Sequence, residues 1–369
     1  MTDPRAYWIC FSYVKGIGAV RFKAILDTFG DAESAWNAPP EALHSAGLSA
    51  KIIENFRAVR VQLDPDQVWE RLQRLGITAL TWDDADYPRR LKDVDQPPPV
   101  LYARQALAPA DEWAVGIVGT RRATPYGRQV TEELARVLAN SGVTVVSGLA
   151  RGIDAVAHQA ALRAGGRTIA VLGSGPDHIY PPEHRRLAEE IIAQGAVLSD
   201  YPPGTPPDAA NFPPRNRIIS GISIAVVVVE AGDTSGALIT ANFAVEQGRD
   251  VFAVPGSITS AQSKGTNRLI KQGAIPMLDP QDVLEALNLN MVTQHRQARL
   301  VIPADPTEER LLKALGTEPT HIDEIQNQSG LPIEQVAAAL SLMELKGMVR
   351  QVGGMHYVGV RELPADYQG

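Results

Sequence analysis

The chain has 369 residues, of which 44% are hydrophobic and 21% charged, and its formal net charge is −7. This is ordinary globular composition at a length that suits two or three domains. An acidic chain does not coat duplex DNA by bulk charge, so any nucleic-acid role has to be local, a basic pocket on an acidic body. The one cysteine, Cys10, excludes a disulfide framework and a Cys-based zinc site. It lies in an apolar run with Ile9 and Phe11 and reads as a small buried hydrophobe. No apolar run is long enough to span a bilayer, and the residues after Met1 lack a basic-then-apolar signal pattern. A cytoplasmic protein without a membrane span is therefore expected.

Residues 1–65 read as a helical domain. Gly16 and Gly18 flank one apolar residue between two helical patterns, the look of a helix-hairpin-helix, and Gly47 marks a weaker second turn. Two readings stay open there: contact with a DNA backbone, for which Lys15, Arg21 and Lys23 are the nearby cations, or a hairpin kept for packing or partner binding. A helix over 68–75 and two strand-like runs, 77–82 and 100–104, lead into the next domain. The aspartates between those runs belong to a solvated, proline-broken loop.

The body, up to residue 288, alternates apolar runs with helix-length segments. The runs lie at 115–118, 143–146, 168–172, 196–198, 225–229 and 251–254. Continuous Val/Ile runs mean strands covered on both faces, and strand–helix–strand repetition implies a doubly wound parallel α/β sheet. In such sheets ligands gather at the carboxyl ends of the strands. The loops expected there are polar. Gly119, Thr120, Arg121 and Arg122 follow the first strand, with Pro125 as a first-turn helix residue. Ser147, Gly148 and Asp154 follow the second, with His158 one turn along as a structural histidine. Gly173, Ser174 and Tyr180 follow the third. Ser235 and Gly236 open one helix and Lys264 opens the last. Helix starts supply free N–H groups suited to phosphates. Neither a Gly-x-Gly-x-x-Gly fingerprint nor a Walker A loop is present.

The sharpest single signal is Phe212-Pro213-Pro214-Arg215-Asn216-Arg217, two arginines around an asparagine where a helix begins. A guanidinium is costly to bury without a partner, so the cluster suits a polyanion. Together these loops predict a concave polar site with several phosphate-sized pockets. Residues 289–304 read as a linker. Residues 305–369 show winged-helix spacing: helices over 307–315, 322–328 and 333–345, then a two-stranded wing over 349–358 around Gly353 and Gly354. The second helix of the helix–turn–helix carries Glu334, Gln335 and Glu344 around an Ala-Ala-Ala centre, which suits protein contact or self-association better than base reading.

In order and at full length, Val118-Gly119-Thr120-Arg121, the segment 147–154, Phe212-Pro-Pro-Arg-Asn-Arg-Ile-Ile-Ser220, the segment 235–240 and Val254-Pro-Gly256 resemble the DNA-processing protein A family, also called DprA or Smf. The resemblance covers nearly the whole chain. It implies an extended Rossmann-like domain with an N-terminal helical (SAM/helix-hairpin-helix-like) domain and a C-terminal winged helix. It implies a homodimer that binds and protects single-stranded DNA and loads the RecA recombinase in natural transformation, without catalysis or cofactor. Gly119, Thr120 and Arg121 match the family's strand-binding loop, and Arg215, Asn216 and Arg217 its Arg-Asn-Arg element. Ser147, Gly148, Phe212, Ser235, Gly236 and Lys264 complete the expected single-strand site, with Phe212 placed to stack on a base.

Two other readings are weighed. Lysine-decarboxylase-like nucleotide-monophosphate hydrolases share the sheet type, but they carry a catalytic glutamate close after a Pro-Gly-Gly-x-Gly-Thr motif. Here Glu230 and Glu246 do not match that spacing. A protein-binding adaptor is the other. The seven histidines show no metal-ligand spacing.

Overall fold

Helical periodicity gives way to continuous Val/Ile runs after residue 76, and the computed structural model follows that change. It describes residues 2–287, 306–315, 320–345, 349–351 and 355–359. The α-helices α1 (Arg5–Ser12), α2 (Ala19–Phe29), α3 (Ala32–Asn37), α4 (Ala50–Gln62) and α5 (Pro65–Leu75) precede the first strand. Gly16 turns the chain between α1 and α2 with φ +101°, a conformation that only glycine adopts cheaply. Trp8, Phe11, Phe22, Trp36 and Phe56 pack with ring centroids 4.7 to 5.6 Å apart. Cys10 is fully buried among them, and burial pushes its thiol up to about 12, so it is inert at neutral pH.

The sheet domain runs β1 (Ile77–Thr81), α6 (Arg89–Lys92), β2 (Val100–Arg104), β3 (Ala114–Val118), α7 (Pro125–Asn140), β4 (Thr144–Ser147), α8 (Ile153–Arg163), β5 (Thr168–Val171), α9 (Arg185–Gln194), β6 (Ala196–Ser199), α10 (Phe212–Gly221), β7 (Ala225–Val228), α11 (Ala237–Glu246), β8 (Asp250–Ala253), α12 (Lys264–Lys271), β9 (Ile275–Pro276) and α13 (Gln281–Ala286). Strand order is β1-β2-β6-β5-β4-β3-β7-β8-β9. Pairing is parallel from β6 to β9. The six strands expected in the body fall within one residue of their apolar runs. Every residue of β3 to β7 is buried, as two-sided helix cover requires.

Two features go beyond the pattern. The runs of β1 and β2 extend this same sheet, β1 antiparallel to β2 and β2 antiparallel to β6. Strand β9 is two exposed residues with no apolar run to announce it. Ile77, Ala79, Val100 and Tyr102 share one core with the aromatic cluster of α1–α4, so the boundary expected near residue 65 passes through common packing. Hydrogen bonds cross it as well, Ser12 Oγ with Tyr102 Oη at 2.7 Å and Tyr13 Oη to Pro203 O at 2.8 Å.

Contacts divide the chain into Met1–Leu289 and Asn290–Gly369. The second unit holds α14 (Pro306–Ala314), β10 (Thr320–His321), α15 (Ile322–Ser329), α16 (Ile333–Leu345), β11 (Val349–Gln351) and β12 (His356–Gly359). Its strands order β10-β12-β11, so a short strand before the second helix joins the expected wing. Leu311, Ile325, Val336, Leu340 and Met343 are fully buried in its core. The expected linker and the Gly353-Gly354 turn lie outside the described residues.

Candidate functional site

The chain winds outward from β3 through β4, β5 and β6, then returns to β7 on the other side of β3. At that reversal the loops leaving β3 and β7 part and open a crevice at the carboxyl end of the sheet. The crevice is a cleft of about 690 Å³. Its walls come from the β3 loop (Gly119, Thr120, Arg121, Arg122), the start of α10 (Phe212, Pro213, Arg215, Asn216), the β7 loop with the start of α11 (Thr234, Ser235, Gly236), and Tyr180 after β5.

Glycines let the loops interlock. A Cβ on Gly119 would meet Ile153 at 2.5 Å, and one on Gly152, at φ +78°, would meet Thr120 O at 2.3 Å. Thr120 N donates to Glu230 O at 2.7 Å, and Ile153 N donates to Thr120 O at 3.2 Å. Gly148 N and Ala150 N donate to the Asp154 carboxylate at 3.1 and 3.3 Å. The loop amides expected to face an anion are thus largely spent on one another. At the start of α11 too, Ala237 N donates to Ser235 Oγ at 3.3 Å and Leu238 N and Ile239 N donate to Ser235 O and Gly236 O at 3.1 Å, so attraction for an anion falls to side chains.

The cations divide sharply. Arg121 is exposed, lines the cleft and has no carboxylate within ion-pair distance among the described residues. Its guanidinium carbon stands 5.7 Å from the centre of the Phe212 ring, within cation–π range. Arg122, absent from the expected set, is also exposed at the wall. Arg215 is 5% exposed. It donates to Gly148 O at 2.9 Å, to Val171 O, and to Asn216 Oδ1 at 3.1 Å. Burial lowers its pKa to about 10; the Asp154 charge opposes that shift and Arg121 adds to it. Burial likewise raises the Asp154 carboxyl, against the pull of Arg215. This pair flanks Gly148, where a Cβ would meet Arg215 Nη2 at 2.7 Å and Asp154 Oδ2 at 2.9 Å. Asn216 Nδ2 donates to Gly236 O at 3.3 Å and ties α10 to the start of α11.

Of the twelve residues expected at the site, Gly119, Thr120, Arg121, Phe212, Arg215, Asn216, Ser235 and Gly236 line the cleft, and Gly148 lines a small adjoining recess. Ser147, Arg217 and Lys264 line neither. Ser147 is fully buried and donates to Ile117 O at 2.6 Å. Arg217 turns away to Asp200 Oδ2 at 2.7 Å and Gln96 O at 2.6 Å. Lys264 is an exposed first residue of α12 outside the walls. Tyr180 was missed as a site residue; the one signal for it was the loop that it shares with Gly173 and Ser174.

Glu230 is closed off from the cleft. It is 3% exposed, and its carboxylate accepts from Thr124 N at 2.9 Å and Thr124 Oγ1 at 2.5 Å. Glu246 is exposed at the end of α11 and outside the cleft walls. His158, fully buried, bonds Thr168 Oγ1 at 2.7 Å. Among the described residues no group of His, Cys, Asp and Glu is placed to hold a metal ion. Among them too, no helix is long and apolar enough to cross a membrane.

The sequence model of the family described as "DNA recombination-mediator protein A" matches residues 78–288, and that of the "DprA winged helix domain" matches 295–355. The chain is 41% identical to protein Smf of Synechocystis, over 96% of this chain and 98% of the relative. The X-ray structure of DNA processing protein A from Streptococcus pneumoniae superposes with a TM-score of 0.67 at 34% identity, covering 77% of this chain and 98% of that one. A structure of the Helicobacter pylori protein, reported for its single-stranded DNA binding mode, gives 0.52 at 32% identity, over 57% and 95%.

Proposed function

Since the chain belongs to the DNA-processing protein A (DprA/Smf) family, we propose that it binds single-stranded DNA in the cleft at the β3/β7 reversal. In this reading it protects incoming strands and loads RecA recombinase onto them in the cytoplasm, as a homodimer and without catalysis of its own. The observation that carries the reading is Arg121, an exposed guanidinium with no carboxylate partner among the described residues, beside an aromatic ring in a wide crevice of an acidic protein. Binding without base readout needs that combination, cations for the backbone and ring faces for the bases.

Roles follow from placement. Arg121, with Arg122, takes phosphates. Gly119 and Thr120 let the backbone approach, and Ser235 and Gly236 form a small-residue wall that keeps the cleft open. Phe212 supplies a stacking face. Arg215, Asn216 and Arg217 act indirectly, by fixing α10 against the strand ends. The closed-off carboxylate of Glu230 favours this over nucleotide hydrolysis.

The test is titration of a fluorescent oligonucleotide at several salt concentrations. Each neutralised phosphate contributes about −0.7 to the log–log salt slope of single-strand binding. Arg121→Ala should weaken binding and flatten the slope by about that amount; unchanged affinity and slope would refute the site. RecA loading is checked by RecA filament formation on strands already coated with single-strand-binding protein, which wild type should accelerate and Arg121→Ala should not.

A further inference from the structure

We infer that Tyr180 and Phe212 form a two-ring ledge on which two unpaired nucleobases stack, one per ring. This rests on the single-strand reading above and adds to it a subsite and a residue, Tyr180. The rings are neighbours, with centroids 5.6 Å apart and planes tilted by 35°. Both line the cleft, and both line the recess that continues from it past Gly148. Tyr180 keeps 36% of its surface exposed. Arg121, the phosphate ligand of the proposal, stands over the Phe212 ring and lines both hollows.

The ledge is fixed before any strand arrives. Behind Phe212 the backbone comes so close that a Cβ on Gly173 would meet Phe212 Cδ1 at 2.8 Å. The loop carrying Tyr180 is pinned by Ser174 Oγ donating to His178 O at 2.6 Å, by Gly175 N donating to Thr205 O at 2.9 Å, and by His184 Nδ1 bonding Leu149 O at 2.8 Å. Such preorganisation spares the ordering cost of binding. With planes tilted by 35°, the two rings are not stacked on each other. Nucleotides stacked along a strand advance about 3.4 Å each. Ring centres 5.6 Å apart therefore suit bases already drawn out of their stack.

The experiment measures affinity for two oligonucleotides of equal length, one thymine-bearing and one fully abasic, across a salt series. Tyr180→Ala should bind the thymine strand about 5- to 150-fold more weakly, the range of one lost stacking contact. Its salt slope should stay that of wild type, because no phosphate contact is lost. On the abasic strand wild type and Tyr180→Ala should bind alike. Tyr180→Phe should hold within about twofold of wild type. In Tyr180→Trp the thymine strand should quench fluorescence beyond the wild-type level, since none of the five native tryptophans lines the cleft. An equal loss on both strands would mean that Tyr180 only shapes the loop, and no loss on the thymine strand would mean that it touches no base; either overturns the ledge while leaving the cleft standing. A wild type that holds neither strand overturns the cleft and the ledge together.

Discussion

The guanidinium of Arg215 donates to two strand-end carbonyls and is sealed from solvent, whereas that of Arg121 faces the cleft with no carboxylate in reach among the described residues. In the sequence the two arginines look equally available. Arg217 looks more so, yet it lies two positions beyond Arg215 on a helix of 3.6 residues per turn, and side chains so spaced diverge. It ends on Asp200, and the ion pair is largely shielded, with side chains 21% and 12% exposed. Arg217→Met should cost about 1–3 kcal/mol in urea denaturation, because Asp200 loses its cation while its other oxygen already lacks a partner. The same variant should leave the salt slope of strand binding unchanged, in contrast to Arg121→Ala. His158 is held neutral in a fully buried site and couples stability to pH. Burial lowers its pKa to about 3, against an ordinary value of 6.5. Below pH 6.5 the unfolded chain takes up a proton that the folded one refuses, so the stability present at neutral pH is lost as pH falls toward 3. One proton makes that slope about 1.4 kcal/mol per pH unit. Urea midpoints should show it between pH 6 and 4, and His158→Gln should remove that component.

Among the elements, strands were the most legible and loop interlock the least. Apolar runs marked β3 to β8 to within a residue because a strand covered on both faces admits little else. What no run could show is that the N-terminal turn of α7 rests on the end of β7. Thr124 caps that helix, accepting from Gly127 N at 3.1 Å, and donates to Glu230. Gly127 lets the carboxylate in: a Cβ there would meet Glu230 Oε2 at 2.2 Å. Gly127→Ala should therefore destabilise the fold by about 1–3 kcal/mol in urea denaturation, the usual cost of overpacking. It should also weaken strand binding by shifting the β3 loop. The loop amides teach a similar lesson. Their glycine-rich sequence suits anion binding, yet Thr120 N and Ile153 N serve neighbouring loops and Gly148 N and Ala150 N serve Asp154, because a buried loop has to satisfy its own backbone before it can offer anything to a ligand.

For the whole molecule, contacts give two units, with the N-terminal helices and the sheet in the first. A chain ending at residue 289 should fold and bind single strands with the affinity and salt slope of the full chain; loss of binding in that truncation would place part of the site in the second unit. Removing residues 1–64 should instead destabilise the sheet domain, since Ile77, Ala79, Val100 and Tyr102 would lose the helical side of their core. Sequence alone determined the class of the fold, the family and the loops that meet at one end of the sheet, because periodicity, ordered motifs and strand-end position are properties of the chain read in order. Only the tertiary structure decided which cation stays free, which loop amides are spent and which second ring stands beside Phe212. Those depend on partners brought together from distant parts of the chain: Arg215 with Val171, Arg217 with Gln96, and Tyr180 with Phe212.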